Sequence, residues 1–302
     1  MERVVVAIAS VGRPSLVRTL QSLSEADPGA GRDLTVLIAD DSPDGAATRL
    51  VDSLKFPDLP VTCIPVAAGN ISIARNALLD AADSDWLVFI DDDEWVQPDW
   101  LIRLFDCRDE FGADVVVGPV LPAYPEHTPK WLLKANPLYA DWGHRGKRLR
   151  TGRGGNTLVH MPFVRRHCLR FDPVLGRSGG EDTAFFTQAA KLGAVIVATD
   201  DAIVHESVPD ERLNPRYILR RAVRSGQSYG LSHKAQSDSP LWHMTFGFEA
   251  VAKCAVAIFL AAIYRPFDRG KSFRMQQKSA LNLGKLRAVF GLPLAQLYAR
   301  QH

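Results

Sequence analysis

Two hydrophobic patterns alternate along most of the chain. Residues 4–9, 34–39, 61–66 and 86–90 are short apolar runs with little interruption. Runs of that length suit strands buried on both faces of a sheet. Between them the apolar positions take helical spacing. Leu16, Val17, Leu20 and Leu23 share one face behind Pro14, which is placed to start a helix. Pro43-Asp44-Gly45 turns the second strand into a helix, and Gly69 opens the next, with Ser72 expected as its cap. The order β-α-β-α-β-α-β predicts an α/β fold whose central sheet is mostly parallel, with helices on both faces.

Further elements follow the same logic. A helix is expected from Pro98 and Trp100 to about residue 111. Strands are expected at 114–120, 157–160, 195–198 and 202–205, and helices at 163–167, 183–192 and 215–229. Residues 121–150 break the pattern. Pro122, Pro125, Pro129 and Pro137 alternate there with Tyr124, Trp131, Tyr139 and Trp142, and Arg145, Lys147, Arg148 and Arg150 close the stretch. It reads as a long loop with short helical pieces, and loops of that length usually carry function.

The candidate chemistry sits where strands end. Trp86-Leu-Val-Phe-Ile runs straight into Asp91-Asp92-Asp93, and Glu94 adds a fourth acid. Adjacent carboxylates are costly without a cation or strong donors, so the triplet suits a divalent cation holding a phosphate. Asp40-Asp41 also falls at a strand end, and Glu181-Asp182 follows a glycine-rich loop at 172–180. In parallel sheets ligands bind at the carboxyl ends of the strands. Asp40-Asp41 and Asp91-Asp92-Asp93 are therefore expected close in space.

Composition adds less. The 302 residues are 46% hydrophobic and 23% charged, an ordinary globular balance. Net charge is only +2, but from Arg265 onward eight Lys/Arg face one acid, a local +7 on a body of −5. Such a tail expects an anionic partner, membrane phospholipid rather than nucleic acid. Ahead of it, residues 244–264 are strongly apolar and carry charge only at Glu249 and Lys253, which are spaced to pair on one helix face. The uncharged part, 254–264, is too short to span a bilayer. It reads as a helix buried in the protein or lying in a membrane interface, and the basic segment favours the membrane surface. Cys63, Cys107, Cys168 and Cys254 have no zinc-ligand or redox spacing and read as reduced thiols of a cytoplasmic protein. The chain enters a strand at once, so no signal peptide is expected.

Taken together, the strand at 4–10, Asp40-Asp41-Ser42, Gly69 to Ala74-Arg75-Asn76, Phe89-Ile90-Asp91-Asp92-Asp93, Gly154-Gly155-Asn156 and Gly180-Glu181-Asp182 resemble the family 2 glycosyltransferases. The motifs occur in that family's order over roughly residues 1–210. The resemblance implies the GT-A (nucleotide-diphospho-sugar transferase) fold, and the pattern is similar to glucosyltransferases of succinoglycan-type exopolysaccharide pathways. It implies Mn²⁺ or Mg²⁺ as cofactor, with Asp91 and Asp93 in the metal motif and His205 as a further ligand. It also implies nucleotide-sugar contacts from Ser10, Arg13, Asp40, Asp41, Arg75, Asp92 and Asn156. Asp41 takes the base-contacting position, where a carboxylate can accept the imide N–H of uracil. Asp182 becomes the catalytic base at a helix start, beside Glu181. Ala9-Ser10-Val11-Gly12-Arg13 departs from the family's frequent Thr-Tyr-Asn-Arg, with Arg13 left to keep the arginine's role. The Gln-x-x-Arg-Trp motif of processive synthases is absent, which implies one sugar added per acceptor.

The expected organisation is a nucleotide-sugar-binding half at 1–115, an acceptor-binding and catalytic half at 116–214, and a basic, apolar helical region at 215–302. The expected activity is inverting, metal-dependent transfer of one hexose, glucose from UDP-glucose, onto a lipid-linked oligosaccharide in exopolysaccharide biosynthesis. The expected place is the cytoplasmic face of the cell membrane. Trp131, Trp142 and Tyr124 are candidates to stack on acceptor sugars. Two other readings stand beside this one: a catalytically silent nucleotide-sugar-binding scaffold, and a nucleotidyl- or phosphotransferase.

Overall fold

A computed structural model describes residues 1–234 and 240–295. The chain forms two compact units, Met1–Leu121 with Ala140–Ser207, and Pro122–Tyr139 with Val208–His302.

The first unit is built on a seven-stranded sheet of order β3-β2-β1-β4-β8-β6-β9. Its strands are β1 (Glu2–Ser10), β2 (Arg32–Asp40), β3 (Val61–Pro65), β4 (Trp86–Phe89), β6 (Val115–Val117), β8 (Thr157–His160) and β9 (Ile196–Ala198). All run the same way except β8, which is antiparallel to both β4 and β6. Alternate residues of β1 face opposite sides. Val4, Val6 and Ile8 pack with Leu16, Leu20 and Leu23 of α1 (Ser15–Ser24) and with Trp100, Leu104 and Phe105 of α4 (Trp100–Phe111). Val5 and Ala7 pack on the other face with Ala74 and Leu78 of α3 (Ile71–Ala81) and Phe185 and Phe186 of α7 (Glu181–Lys191). Two cores thus lie on either face of one sheet, which is why its strands read as unbroken apolar runs. The remaining helices of this unit are α2 (Ala46–Asp52) and α6 (Met161–Arg166).

Several local expectations are corrected. The strand expected at 114–120 breaks into β6 and β7 (Val120–Ala123), because Pro119 has no N–H to donate and the Gly118 N–H bonds the Asn156 carbonyl instead (2.8 Å). A three-residue strand, β5 (Glu94–Val96), hides behind the acidic triplet and pairs antiparallel with β10 (Val204–Ser207). Asn70, not Ser72, caps α3. Its side chain accepts from the Ser72 and Ile73 N–H groups, while the Ser72 hydroxyl donates to the Asp172 carbonyl.

The second unit is helical. It holds α5 (Lys130–Ala135) from the proline-rich stretch, then α8 (Pro215–Lys234), α9 (Pro240–Tyr264) and α10 (Arg269–Val289). The basic tail is therefore largely a helix, capped by Asp268, whose side chain accepts from the Lys271 N–H. Helices α8 and α10 cross closely. A Cβ on Gly226 would lie 1.9 Å from the Leu281 carbonyl oxygen, and one on Gly284 would lie 2.0 Å from the Val223 carbonyl oxygen. Helix α9 buries Ala250, Ala257 and Ala261 and exposes Met244, Phe248, Val251, Val256, Ile258, Phe259 and Ile263. The segment His243–Tyr264, 22 residues containing an 18-residue window of mean hydropathy 2.0, is long and apolar enough to cross a membrane by length and composition. Glu249 and Lys253 pair on its surface as their spacing predicts.

Gly226→Ala is expected to destabilise the protein by about 1–3 kcal/mol, because the backbone of α10 must retreat to admit the methyl group. Urea unfolding followed by circular dichroism checks it. Unchanged stability would mean that the helices do not cross at this glycine.

Candidate functional site

The sheet order creates a crevice. The chain moves outward from β1 to β2 to β3, then α3 carries it back across β1 to β4. Such a reversal opens a cleft at the carboxyl ends of the two central strands. Here β1 ends at Ser10, and β4 runs into Asp91-Asp92-Asp93.

A tight turn sorts the three aspartates. The Glu94 N–H donates to the Asp91 carbonyl (3.1 Å), and the Glu94 carboxylate accepts the Asp91 N–H (3.0 Å). Asp92 turns inward and is buried. Its oxygens accept from the Ser10 hydroxyl (2.7 Å) and the Arg13 guanidinium (2.9 Å). Asp91 keeps 42% of its side chain exposed, and Asp93 lies 3.8 Å from Arg13. Ser10, Arg13 and Asp92, expected at the nucleotide, thus form a brace between the ends of β1 and β4. The role expected for Asp92 is corrected, because its carboxylate is buried with each oxygen held by a group inside the protein.

Arg75 is the centre of the site. It is buried in α3, and its guanidinium donates to Glu181 at 2.7 Å, to Asp91 at 3.3 Å and to the Gly154 carbonyl at 3.4 Å. It lies over the Phe171 ring, 5.6 Å from the centroid. Asp91, Glu181 and Asp182 together pull its pKa above the usual value against the effect of burial. Burial, with the adjacent Asp182 charge, in turn raises the pKa of Glu181 against the attraction of Arg75. One cation thereby ties the end of β4 to the start of α7.

The Gly-Gly-Asn motif is explained residue by residue. A Cβ on Gly154 would lie 2.2 Å from the Arg75 guanidinium, and one on Gly155 would lie 2.6 Å from the Glu94 carboxylate. Asn156 is completely buried. Its Oδ1 accepts from the Trp100 indole (2.7 Å), and its Nδ2 donates to the Pro119 and Ala202 carbonyls (both 2.8 Å). The expected contact of Asn156 with a substrate hydroxyl is corrected, since the amide is fully engaged in linking loops beneath the site. Glu94 and Arg153 were missed as site residues. The Glu94 side chain is fully buried, pairs with Arg153 at 3.3 Å, and has its pKa raised well above the usual range by burial and the Asp91 charge. The visible signals were a fourth acid after the triplet and an arginine inside the Gly-Arg-Gly-Gly-Asn run.

The Asp40-Asp41 pair divides its labour. Asp40 is buried and accepts from the backbone N–H and hydroxyl of both Ser42 and Thr48, which fixes the start of α2. Burial raises its pKa, but these hydrogen bonds outweigh that and hold it below its usual value. Its expected nucleotide contact is corrected on the same ground. Asp41 accepts the N–H groups of Ala68 (2.6 Å), Gly69 (2.9 Å) and Asn70 (2.8 Å), so it shapes the loop that opens α3. Three of roughly four lone-pair positions are then filled, leaving one.

Asp182 occupies the first turn of α7, partly exposed. Its oxygens accept from the Gly154 N–H (3.2 Å) and the Thr183 N–H (2.6 Å). Its link to Gly154 and its pull on Arg75 place it with Asp91 and Glu181 in one cluster. His205 lies on β10 opposite Trp95 and stacks on that ring at 5.5 Å, while the Arg18 guanidinium lies 3.4 Å from the centroid of the same ring. Burial, with the Arg18 charge, lowers its pKa, so the imidazole stays neutral near pH 7. Two carboxylates and a neutral imidazole fit Mn²⁺ or Mg²⁺ in kind. Among the described residues, however, no three His, Cys, Asp or Glu side chains converge into a cluster that could hold the ion unaided. The aromatic candidates separate. Trp142 packs in the sheet unit, whereas Trp131 packs on Phe273 and the Tyr124 hydroxyl bonds Asn136 in the helical unit.

A parallel sheet with a carboxylate-lined crevice at its reversal point is the arrangement of a GT-A glycosyltransferase, and the sequence agrees. The pattern of glycosyl transferase family 2 matches residues 4–172, and the chain belongs to that family. The succinoglycan biosynthesis protein ExoM of Rhizobium meliloti (strain 1021) is 33% identical over 302 residues, 97% of this chain and 94% of that protein. Among solved structures, S. aureus TarS 1-349 in complex with UDP-GlcNAc matches with a TM-score of 0.55 at 17% identity, over 92% of this chain and 91% of that one. The same protein with UDP gives 0.54 at 16%, over 96% and 91%. At that identity the likeness is one of fold.

Arg75→Met should cost about 3–5 kcal/mol, because it strands Glu181 and Asp91 as uncompensated charges. Adding Glu181→Leu should recover part of that loss. Denaturant midpoints of the wild type and both variants check it. A single variant as stable as the wild type would show that the buried pair does not hold the site together.

Proposed function

We propose that the enzyme transfers one hexose, glucose from UDP-glucose, with inversion onto a lipid-linked oligosaccharide. The observation that carries this reading is the gathering of Asp91, Glu181 and Asp182 around Arg75 at the crevice between β1 and β4. In that crevice Asp41 offers its remaining lone pair to the uracil imide, and Arg75 fixes the carboxylates around the sugar. Asp91 and Asp93, with His205, would be the residues to hold a metal once the diphosphate adds its own oxygens, and the ion would supply positive charge against the diphosphate. Asp182 takes the proton of the acceptor hydroxyl as its oxygen bonds the anomeric carbon. The bond from that carbon to the diphosphate breaks, and UDP departs.

The donor class is supported by the UDP and UDP-GlcNAc complexes of the similarly folded TarS. The biosynthetic setting is supported by the similarity to ExoM. A membrane-bound acceptor is supported by the exposed apolar face of α9 and by the +7 charge of the chain from Arg265 onward. Together they suit an enzyme working at the cytoplasmic surface of the membrane.

Asp182→Asn should lower transfer by about 10²–10⁴-fold while leaving UDP binding nearly unchanged, the signature of a lost general base. Radiolabelled sugar transfer to membrane-extracted acceptor, with parallel UDP titrations, checks both halves. Full activity in the variant would remove Asp182 from the mechanism.

A further inference from the structure

Helices α8, α9 and α10 enclose a second concavity, a cavity of about 240 Å³ within the helical unit. Its wall includes Tyr229 and His233 of α8, Phe246 and Glu249 of α9, and Asn282 and Lys285 of α10. None of these residues takes part in the crevice chemistry.

Two of them lack what burial normally demands. Asn282 is buried, and its amide nitrogen donates to the Lys278 carbonyl (2.8 Å), but its Oδ1 has no hydrogen-bond partner among the described residues. An unmet buried acceptor costs about 1–3 kcal/mol, which a donating ligand recovers. Lys285 places its ammonium 4.9 Å from the Tyr229 ring centroid, and no ion pair to it occurs among the described residues. Burial, then the Lys253 charge, lowers its pKa against the pull of the Glu249 charge, and an anion beside it would favour the charged form. Among the described residues Glu249 is the one acid in the wall, and Lys253 pairs with it. His233 lies tilted against Tyr229 at 4.4 Å and stacks on Phe246 at 5.7 Å, forming an aromatic side. Elsewhere on α9, on the side turned away from the cavity, Met244, Phe248 and Val251 are exposed.

We propose that this cavity binds a phosphate ester carrying a free hydroxyl, with the phosphate oxygens at Lys285 and the hydroxyl donating to Asn282. A hydroxylated anionic lipid headgroup and soluble glycerol phosphate share that chemistry, and the exposed apolar residues of α9 favour the lipid. The lipid source rests on the membrane-surface reading above; the site itself does not.

The full-length protein is titrated with phosphatidylcholine vesicles, with the same vesicles containing phosphatidylglycerol, and with soluble glycerol phosphate. Wild type, Lys285→Gln, Asn282→Ala and Lys278→Gln are compared, the last removing an exposed charge outside the cavity. The wild type should prefer the phosphatidylglycerol vesicles by about tenfold or more. Lys285→Gln and Asn282→Ala should lose that preference, and Lys278→Gln should keep it. Dependence on Lys285 with vesicles but not with glycerol phosphate supports the site and assigns the headgroup. Dependence with glycerol phosphate alone supports the site and assigns a soluble ester. Binding of both probes that ignores Lys285 and Asn282 overturns the site, even if vesicles still bind through α9. No binding to either vesicle removes the membrane reading, and the site then stands only on Lys285-dependent binding of glycerol phosphate.

Discussion

The buried guanidinium of Arg75 is the contact on which the rest of the site depends. It is reached from β4 through Asp91, from α7 through Glu181 and from the 154 loop through a carbonyl. A buried cation is tolerated only when its partners are close and complete. The three segments that supply them are therefore fixed relative to one another. Gly154 and Gly155 follow from the same constraint, since no side chain fits beside the Arg75 guanidinium or the Glu94 carboxylate. The Asp91 N–H, held by Glu94, sets the turn that turns Asp92 inward and leaves Asp91 partly open.

Around this centre most of the acidic residues support the scaffold. Asp40 starts α2, Asp41 shapes the loop before α3, and Asp92 braces β1 against β4. Asp91 and Asp182 stay partly exposed. That division has a physical basis. A carboxylate has several strong acceptor sites, and at a sheet end the nearest unsatisfied donors are the N–H groups of the next turn. Acids crowded at a crevice therefore fix loops first and meet ligands with what remains.

The sheet was legible because its strands are buried on both faces. Alternation is lost there and plain apolar runs remain, as in β1 and β2. The crevice was legible because Ser10, Asp40 and Asp91 follow such runs. Less could be read where a short element is held by tertiary contacts. β5 has three residues and exists through its pairing with β10, and β8 runs against its neighbours without any local mark. Side-chain direction was not legible either. Sequence placed Asp91, Asp92 and Asp93 together, but only Ser10 and Arg13, some eighty positions away, decide that Asp92 points inward. Asn156 was misjudged for the same reason, since its partners Trp100, Pro119 and Ala202 are distant in the chain. The basic tail was expected within a helical region, but the packing of its helix was not legible, because α10 packs through Gly284 and Phe273 and lacks a strong apolar stripe.

The crevice as a nucleotide-sugar site is tested most directly by calorimetric titration with UDP, UDP-glucose, UDP-galactose and GDP-mannose, each with and without Mn²⁺. Metal-strengthened binding of UDP and of one UDP-sugar is the expected result. Absence of binding by every nucleotide, to protein shown to be folded, would contradict the assignment of the crevice as the donor site.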